Sequence, residues 1–412
     1  MNIYAFGAEK HFGIDWLVDK IINMGNKPQR IFKNRIVSKA LRIGVITLLA
    51  LLMSRFVIFD LLTGIQSGLE NKDFKMSDVY NRVCYSSEEF TALFQDQIVI
   101  VDVEECDIVE MGRLMDTIAR HQPKAVGLDV FFKSAVTEDS TLIRSLSTMN
   151  NLVIACDADS TGLHSSYFFD SLKNANAGIV KSDASSLVSV VRTFTPSFTG
   201  DNCTYNHFVV ELARLAAPES YNMFLKHMEL TKEGPVTINY FVFDDEDRSL
   251  HKMIYDTISA AQLMEETDKS WLEDKIILVG GLTNGQDIFY TPVGRIMSGI
   301  EIHACSLLTI LNESYISIVS EKVCWLLAVI ICILFFVLND IVSENFPKVS
   351  SLLMRIAQIL LIFMMLIIGT LLFKKHVLYM NFAPSLLVIS LAKLAEDILD
   401  GFIGLVKLII NK

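Results

Sequence analysis

Carboxylates cluster at the ends of apolar runs in this chain, a placement that suits ligand chemistry. Asp102, Glu104 and Glu105 follow "QIVIV", Asp129 ends "KAVGLD", Asp157 and Asp159 follow "NLVIAC", and Asp287 lies in the loop after "KIILVGG". If these runs are parallel strands, their carboxyl ends form the crevice in which α/β sheets bind ligands, and the oxygens converge on a cation or a polar ligand. The same residue type also suits helix N-caps and turns, where Asp accepts loop amide hydrogens. The candidate ligand-binding set is Asp102, Glu104, Asp129, Asp157 and Asp287, with the identity of any metal left open.

Other chemistries find less support. "GGLTNGQD" contains neither Gly-Lys-Ser/Thr nor Gly-x-Gly-x-x-Gly, so it is no phosphate cradle. "TPVGR" reads as a turn, with Pro292 fixing φ and Gly294 supplying freedom. Glu301 and His303 share a face if "GIEIHA" is extended, which would make half a metal site; on a helix a spacing of two separates them and leaves a lone hydrogen-bonded histidine. The sequence has no Gly-x-Ser-x-Gly elbow and no Cys-x-x-Cys pair. No catalytic residue and no cofactor are assigned, and the protein is expected not to be an enzyme.

The elements that must hold the acids follow from periodicity. "QIVIVDVE" (97–104), "KAVGLDVFF" (124–132) and "NLVIACDAD" (151–159) are short buried-strand patterns. Between them, "CDIVEMGRLMDTIARHQ" (106–122) places Ile108, Met111, Leu114, Met115 and Ile118 on one helical face, and a second helix carries Leu142, Ile143 and Leu146. Such alternation implies a right-handed, mainly parallel sheet covered by helices. "NHFVVELARLAA" (206–217) predicts a further helix, and "KIILVGG" the closing strand. Residues 65–96 read as a polar, partly helical stalk.

This α/β block sits between membrane segments. A helix crossing a hydrocarbon core needs about 20 mostly apolar residues, and a mean hydropathy of +0.41 over 412 residues fits a chain that is partly membrane and partly not. Four transmembrane helices are expected, at 41–64, 323–339, 356–373 and 377–394, the last bending at Pro384. Lys27, Arg30, Lys33, Arg35, Lys39 and Arg42 precede the first, which keeps both ends of the chain cytoplasmic and residues 65–320 outside. Residues 1–40 form a cytoplasmic segment whose "HFGIDWLVDKIINM" is an amphipathic helix, and 395–412 form a short cytoplasmic tail. Arg55 falls inside the first apolar run, where an unpaired charge costs at least a few kcal/mol. It requires either a polar partner on another chain or a shifted span that brings it to the outer surface.

Charge narrows the choice of partners. The 65–320 block carries roughly 19 basic against roughly 37 acidic residues, a field that opposes nucleic acid. Cys84, Cys106, Cys156, Cys203 and Cys305 fall in it; five is odd, so at least one thiol stays free or pairs between chains, and the sequence does not assign a pairing.

Three segments, "IVIVDVEE", "PKAVGLDVFF" and "KIILVGG...QDIFYTPVGR.MSGIEIHACSLLTIL", taken together at these spacings, resemble the second class of CHASE domains, the cyclase- and histidine-kinase-associated extracellular sensors of bacteria. The resemblance covers residues 65–320 and the order of one span, a sensor, then a cluster of spans. It implies a signal-input domain outside the bacterial inner membrane. Members commonly carry an output domain after the last span, whereas here "AEDILDGFIGLVKLIINK" follows. The expectation is a sensor that relays its signal to a separate signalling or envelope protein, in a lipid bilayer and compatible with a homo-oligomer. The alternative is a structural adaptor or scaffold subunit of an envelope complex.

Overall fold

Ile98–Val101 and Ile276–Val279 are apolar without alternation, so both faces of each strand must be covered, and the fold covers both. The computed structural model describes residues 35–54, 97–132, 141–159, 162–164, 172, 174–180, 190–199, 204–231, 234–240, 255–282, 287–293 and 296–410. The expected stalk, the amphipathic N-terminal helix, Arg55, Cys84 and Cys203 lie outside the described residues. In chain order the helices are α1 (Arg35–Ser54), α2 (Ile108–Arg120), α3 (Thr141–Ser147), α4 (Phe208–Ala216), α5 (Pro218–Thr231), α6 (Ala260–Glu265), α7 (Gly299–Leu311), α8 (Glu321–Asn345), α9 (Ser350–His376) and α10 (Ala383–Ile410). The main sheet comprises β1 (Ile98–Asp102), β2 (Ala125–Asp129), β3 (Leu152–Asp159), β4 (Gly162–His164), β5 (Asn176–Ile179), β6 (Asp256–Ser259) and β7 (Ile276–Gly280), while β8 (Ile288–Tyr290) and β9 (Ile296–Ser298) form an antiparallel pair.

The chain divides into two compact units. The larger, Asp60–Glu321 with Phe363–Phe382, holds the sheet in the order β6-β1-β7-β2-β3, with β5 also on β3. Those pairings are all parallel, and β4 adds an antiparallel pairing to the end of β3. β7, the last strand of the sheet in chain order as expected, lies in the middle of it in space: Gly280 is the register partner of Asp102 on one side and of Asp129 on the other. Alternate residues then sort to two cores. Val99, Val101, Val126, Leu128, Ile277 and Val279 pack with α2, α3 and α6. Ile98, Ile100, Val153, Ile276 and Leu278 pack with α4 and α7. Each fully buried aliphatic side chain of this kind contributes about 1.5–3 kcal/mol.

Two glycines set how closely α4 approaches the sheet. A Cβ on Gly178 of β5 would stand 2.6 Å from Phe208 Cα, and one on Gly127 of β2 would stand 2.6 Å from Phe208 Cζ. The first turn of α4 therefore lies directly on the strands, which fixes its N-terminal residues beside the ends of β2 and β5.

The smaller unit is drawn from Met1–Phe59, Lys322–Ile362 and Ala383–Lys412. Ile46 and Ala50 of α1 pack with Ala328, Cys332 and Phe336 of α8 and with Val388, Ala392 and Ala395 of α10. Charges gather toward one end. Lys39 pairs with Glu344 and, at 3.9 Å, with Asp340; Arg42 reaches Glu396 at 3.1 Å and Asp400 at 2.9 Å. Among the described residues two helices, α8 and α9, are long and apolar enough to cross a membrane, where four were expected. The expected fourth span is also displaced. Leu378–Tyr379 pairs with Ser317–Ile318 as strand, and α10 begins at Ala383 and runs through Lys393, Glu396, Asp397 and Asp400. Pro384 falls in its first turn, where a missing N–H is not needed, so it starts the helix and does not bend it.

Gly178→Ala is expected to lower stability by about 1–3 kcal/mol, read as a drop of several degrees in the melting temperature of the detergent-solubilised chain. Gly234→Ala, where an added Cβ meets nothing within 4 Å, is the control and stays within about 0.5 kcal/mol.

Candidate functional site

Asp129 ends β2 with its side chain 11% exposed, and across from it His303 projects from the second turn of α7. His303 Nε2 stands 3.8 Å from Asp129 Oδ2, beyond hydrogen-bonding distance. Burial pushes the Asp129 carboxyl up to about 7 and the His303 imidazole down to about 4. Near neutral pH the two therefore face each other as a partly protonated acid and a neutral ring, with little ion-pair character. His303 Nδ1 is buried with no hydrogen-bond partner among the described residues.

Asp287 completes the group. Its carbonyl accepts from Gly299 N at 3.1 Å, and its carboxylate lies where a Gly299 side chain would begin, 2.3 Å from the position a Cβ would take. Only glycine at the first position of α7 admits the carboxylate there. Burial raises the Asp287 carboxyl, as does the neighbouring Asp129; His303 and the amide of Gly299 act the other way. The helix start is itself held by Glu301, whose Oε2 accepts from Ser298 N at 2.7 Å and from Ser298 Oγ at 3.0 Å, while Oε1 accepts from Tyr255 Oη at 3.0 Å. Of the two readings of "GIEIHA", the helical one holds: Glu301 serves the cap and His303, separated from it, turns to the site.

His207 closes a further side. It precedes α4, its N–H donates to Pro196 O at 2.8 Å, and its Nδ1 accepts from Val209 N at 3.3 Å. An imidazole that accepts a backbone N–H at Nδ1 cannot be protonated there, and burial together with His303 holds its pKa well below the usual value. The His207 and His303 rings lie 5.5 Å apart.

These groups line one cavity of about 930 Å³, walled by Phe131, Phe132, Phe194, Phe289 and Ile238 and flanked by Glu104 and Asp107 from the turn after β1. That volume is in the range of small-molecule sites, roughly 300–1,000 Å³. Of the five acids expected to converge, Asp129, Asp287 and Glu104 line it. Asp102 does not: its Oδ1 accepts from Glu104 N at 3.2 Å and Leu282 N at 3.3 Å, bracing the loops that follow β1 and β7. It borders a second cavity of about 800 Å³, with Glu104, Glu105 and Ser259. Asp157 remains inside β3, because that strand continues by pairing with β4; it is exposed and partners His164 in register. Among the described residues no group of three or more His, Cys, Asp or Glu side chains is arranged to hold a metal. Cys106, Cys156 and Cys305 are free; burial pushes the Cys156 thiol up to about 12 and raises the other two, with Glu110 and Asp102 adding to the effect at Cys106.

Sequence reasoning weighed His303 only as half a metal site or a lone histidine, and it missed His207. The signal for His303 is the Ser298-x-x-Glu301 spacing, a capping box that makes the following residues helical. For His207 it is a polar residue with a hydrogen-bond acceptor immediately before the apolar helix "FVVELARLA".

The family model of the CHASE2 domain matches residues 46–338. No curated protein and no solved structure matches the chain.

The raised acid and the lowered imidazole pull stability in opposite directions with pH. A folded-state carboxyl pKa of about 7, against 3.8 unfolded, makes the fold lose stability as pH rises from about 4 to 7; the His303 shift, from 6.5 to about 4, makes it gain over about 4 to 6.5. Asp129→Asn removes the loss alone. The melting temperature of the variant is expected to exceed that of the parent at pH 8, with the difference vanishing near pH 4. A variant less stable than the parent at pH 8 would mean that the ionised carboxylate is held by a favourable partner.

Proposed function

The chain belongs to the CHASE2 domain family, extracellular sensor domains, and from that premise we propose that it is a membrane-anchored signal-input protein that relays an extracytoplasmic signal to a separate partner. The two apolar helices α8 and α9 suggest membrane anchoring. In the fuller reading α1 and α10 cross as well, the block at residues 65–320 lies outside a bacterial inner membrane, and both ends of the chain are cytoplasmic. Lys39 and Arg42 on the first turns of α1 support that orientation. In this reading the domain binds its ligand and does not transform it.

The observation that carries the proposal is the cavity beneath the start of α7. An occupant there touches Asp287 and His303, and both bear on α7, from which residues 312–320 lead directly to α8. A ligand that binds one pose of α7 better than another shifts the population of poses by its differential affinity. Beyond the charges at 393–400, the last turns of α10 carry Phe402, Leu405, Leu408 and Ile409, each more than 60% exposed, an apolar face open to a partner or to lipid.

Purification of the native protein in a mild detergent, with mass spectrometry of what remains bound, tests the relay. A kinase, cyclase or other effector should be recovered, and Phe402→Asp combined with Leu405→Asp should deplete it at least tenfold. Recovery of the chain alone, or only as a homo-oligomer, would overturn the relay.

A further inference from the structure

We infer that the cavity beneath α7 binds an organic cation, an ammonium group carried on an apolar body. This assignment rests on the sensor reading above and adds the chemical class of the signal. Four carboxyl-bearing residues, Glu104, Asp107, Asp129 and Asp287, are among the described residues that line the cavity, and no Lys or Arg is. Asp107 is partly committed, since its Oδ1 accepts from Val109 N and Glu110 N at 2.8 Å to cap α2. Asp129 and Asp287 are the pair with no Lys or Arg ion pair among the described residues, and they lie close enough for Asp129 to disfavour ionisation of Asp287.

An ammonium centre between them would relieve that repulsion, which a neutral or anionic ligand cannot do. Phe131, Phe132, Phe194 and Phe289 supply the matching walls: their ring faces attract a cation and their bulk takes up an apolar body. His303 adds a polar atom without a partner among the described residues, its buried Nδ1. A bare metal ion fits less well, because no group of three or more ligating side chains among the described residues is arranged for one.

Binding should also be linked to protons. The titratable groups that line the cavity with Asp129 are Asp287 before β8, His303 on α7, His207 before α4, and Glu104, Cys106 and Asp107 after β1. The carboxyl of Asp129 must be ionised to face the cation, so affinity should rise about tenfold from pH 6 to pH 8, the span centred on its value of about 7.

The test uses the full chain in lipid nanodiscs and three probes of one shape: phenethylammonium, 2-phenylethanol and 3-phenylpropanoate, titrated calorimetrically to about 10 mM, a ceiling that admits ligands weaker than 1 mM. Phenethylammonium should bind at least tenfold more tightly than either isostere. Asp129→Asn with Asp287→Asn should abolish that margin while leaving 2-phenylethanol binding unchanged, which also reports that the cavity is intact. Asp157→Asn, exposed on β3 and outside the cavity, should leave the margin as it was. Equal or tighter binding of the alcohol or the carboxylate would overturn the cationic class and leave the cavity as the sensing site. Binding of none of the three would overturn the cavity as the sensing site, and the ligand class with it.

Discussion

Residues 276–280 bond to β1 along one edge and to β2 along the other, and without them those two strands have no common neighbour. The pairing sets Asp102 and Asp129 at one height, on either side of Gly280. Asp287, which follows β7 in the chain, meets the first residue of α7. The relative placement of the buried acids therefore descends from one strand register, and a one-residue slip would turn every side chain of β7 to the opposite core.

A cavity lined by carboxyls and walled by aromatic rings is an uneasy environment in an empty protein. Removing a carboxylate from water without a partner is unfavourable, so the group holds its proton instead. Burial raises the Asp129 carboxyl to about 7 and lowers the His303 imidazole to about 4 for this reason, so near neutral pH the acid is partly protonated and the ring neutral. Sites with this character recur where proteins bind or react, because the shift in ionisation is the trace of a group placed for something other than stability.

Much of this was legible in the residues. The runs at 98–101, 125–128, 152–156 and 276–279 are uniformly apolar because both of their faces are buried, and α2 shows its core face at helical spacing. Strand order was not legible, since nothing in the composition of β7 distinguishes a central strand from a closing one. Asp157 misled because the end of an apolar run need not be the end of a strand, and β4 prolongs β3 past it. The last span was displaced because a two-residue strand and a helix start share the hydropathy of a membrane segment, while the charges at 393–400 sit within a helix that hydropathy alone would end earlier. Site membership was half visible: acids at strand ends announce themselves, whereas the histidines come from elements distant in sequence.

The ion pairs of the smaller unit are distributed unevenly along α1. Lys39 and Arg42, on its first turns, tie it to α8 through Asp340 and Glu344 and to α10 through Glu396 and Asp400, while further along Ile46 and Ala50 meet Ala328, Cys332 and Ala392 through apolar contact. The side chains at the charged end are largely solvent-accessible, and pairs of that kind contribute about 0–1 kcal/mol each, so they add direction more than strength. They select which faces of α1 meet α8 and α10, while the apolar contacts further along supply the cohesion.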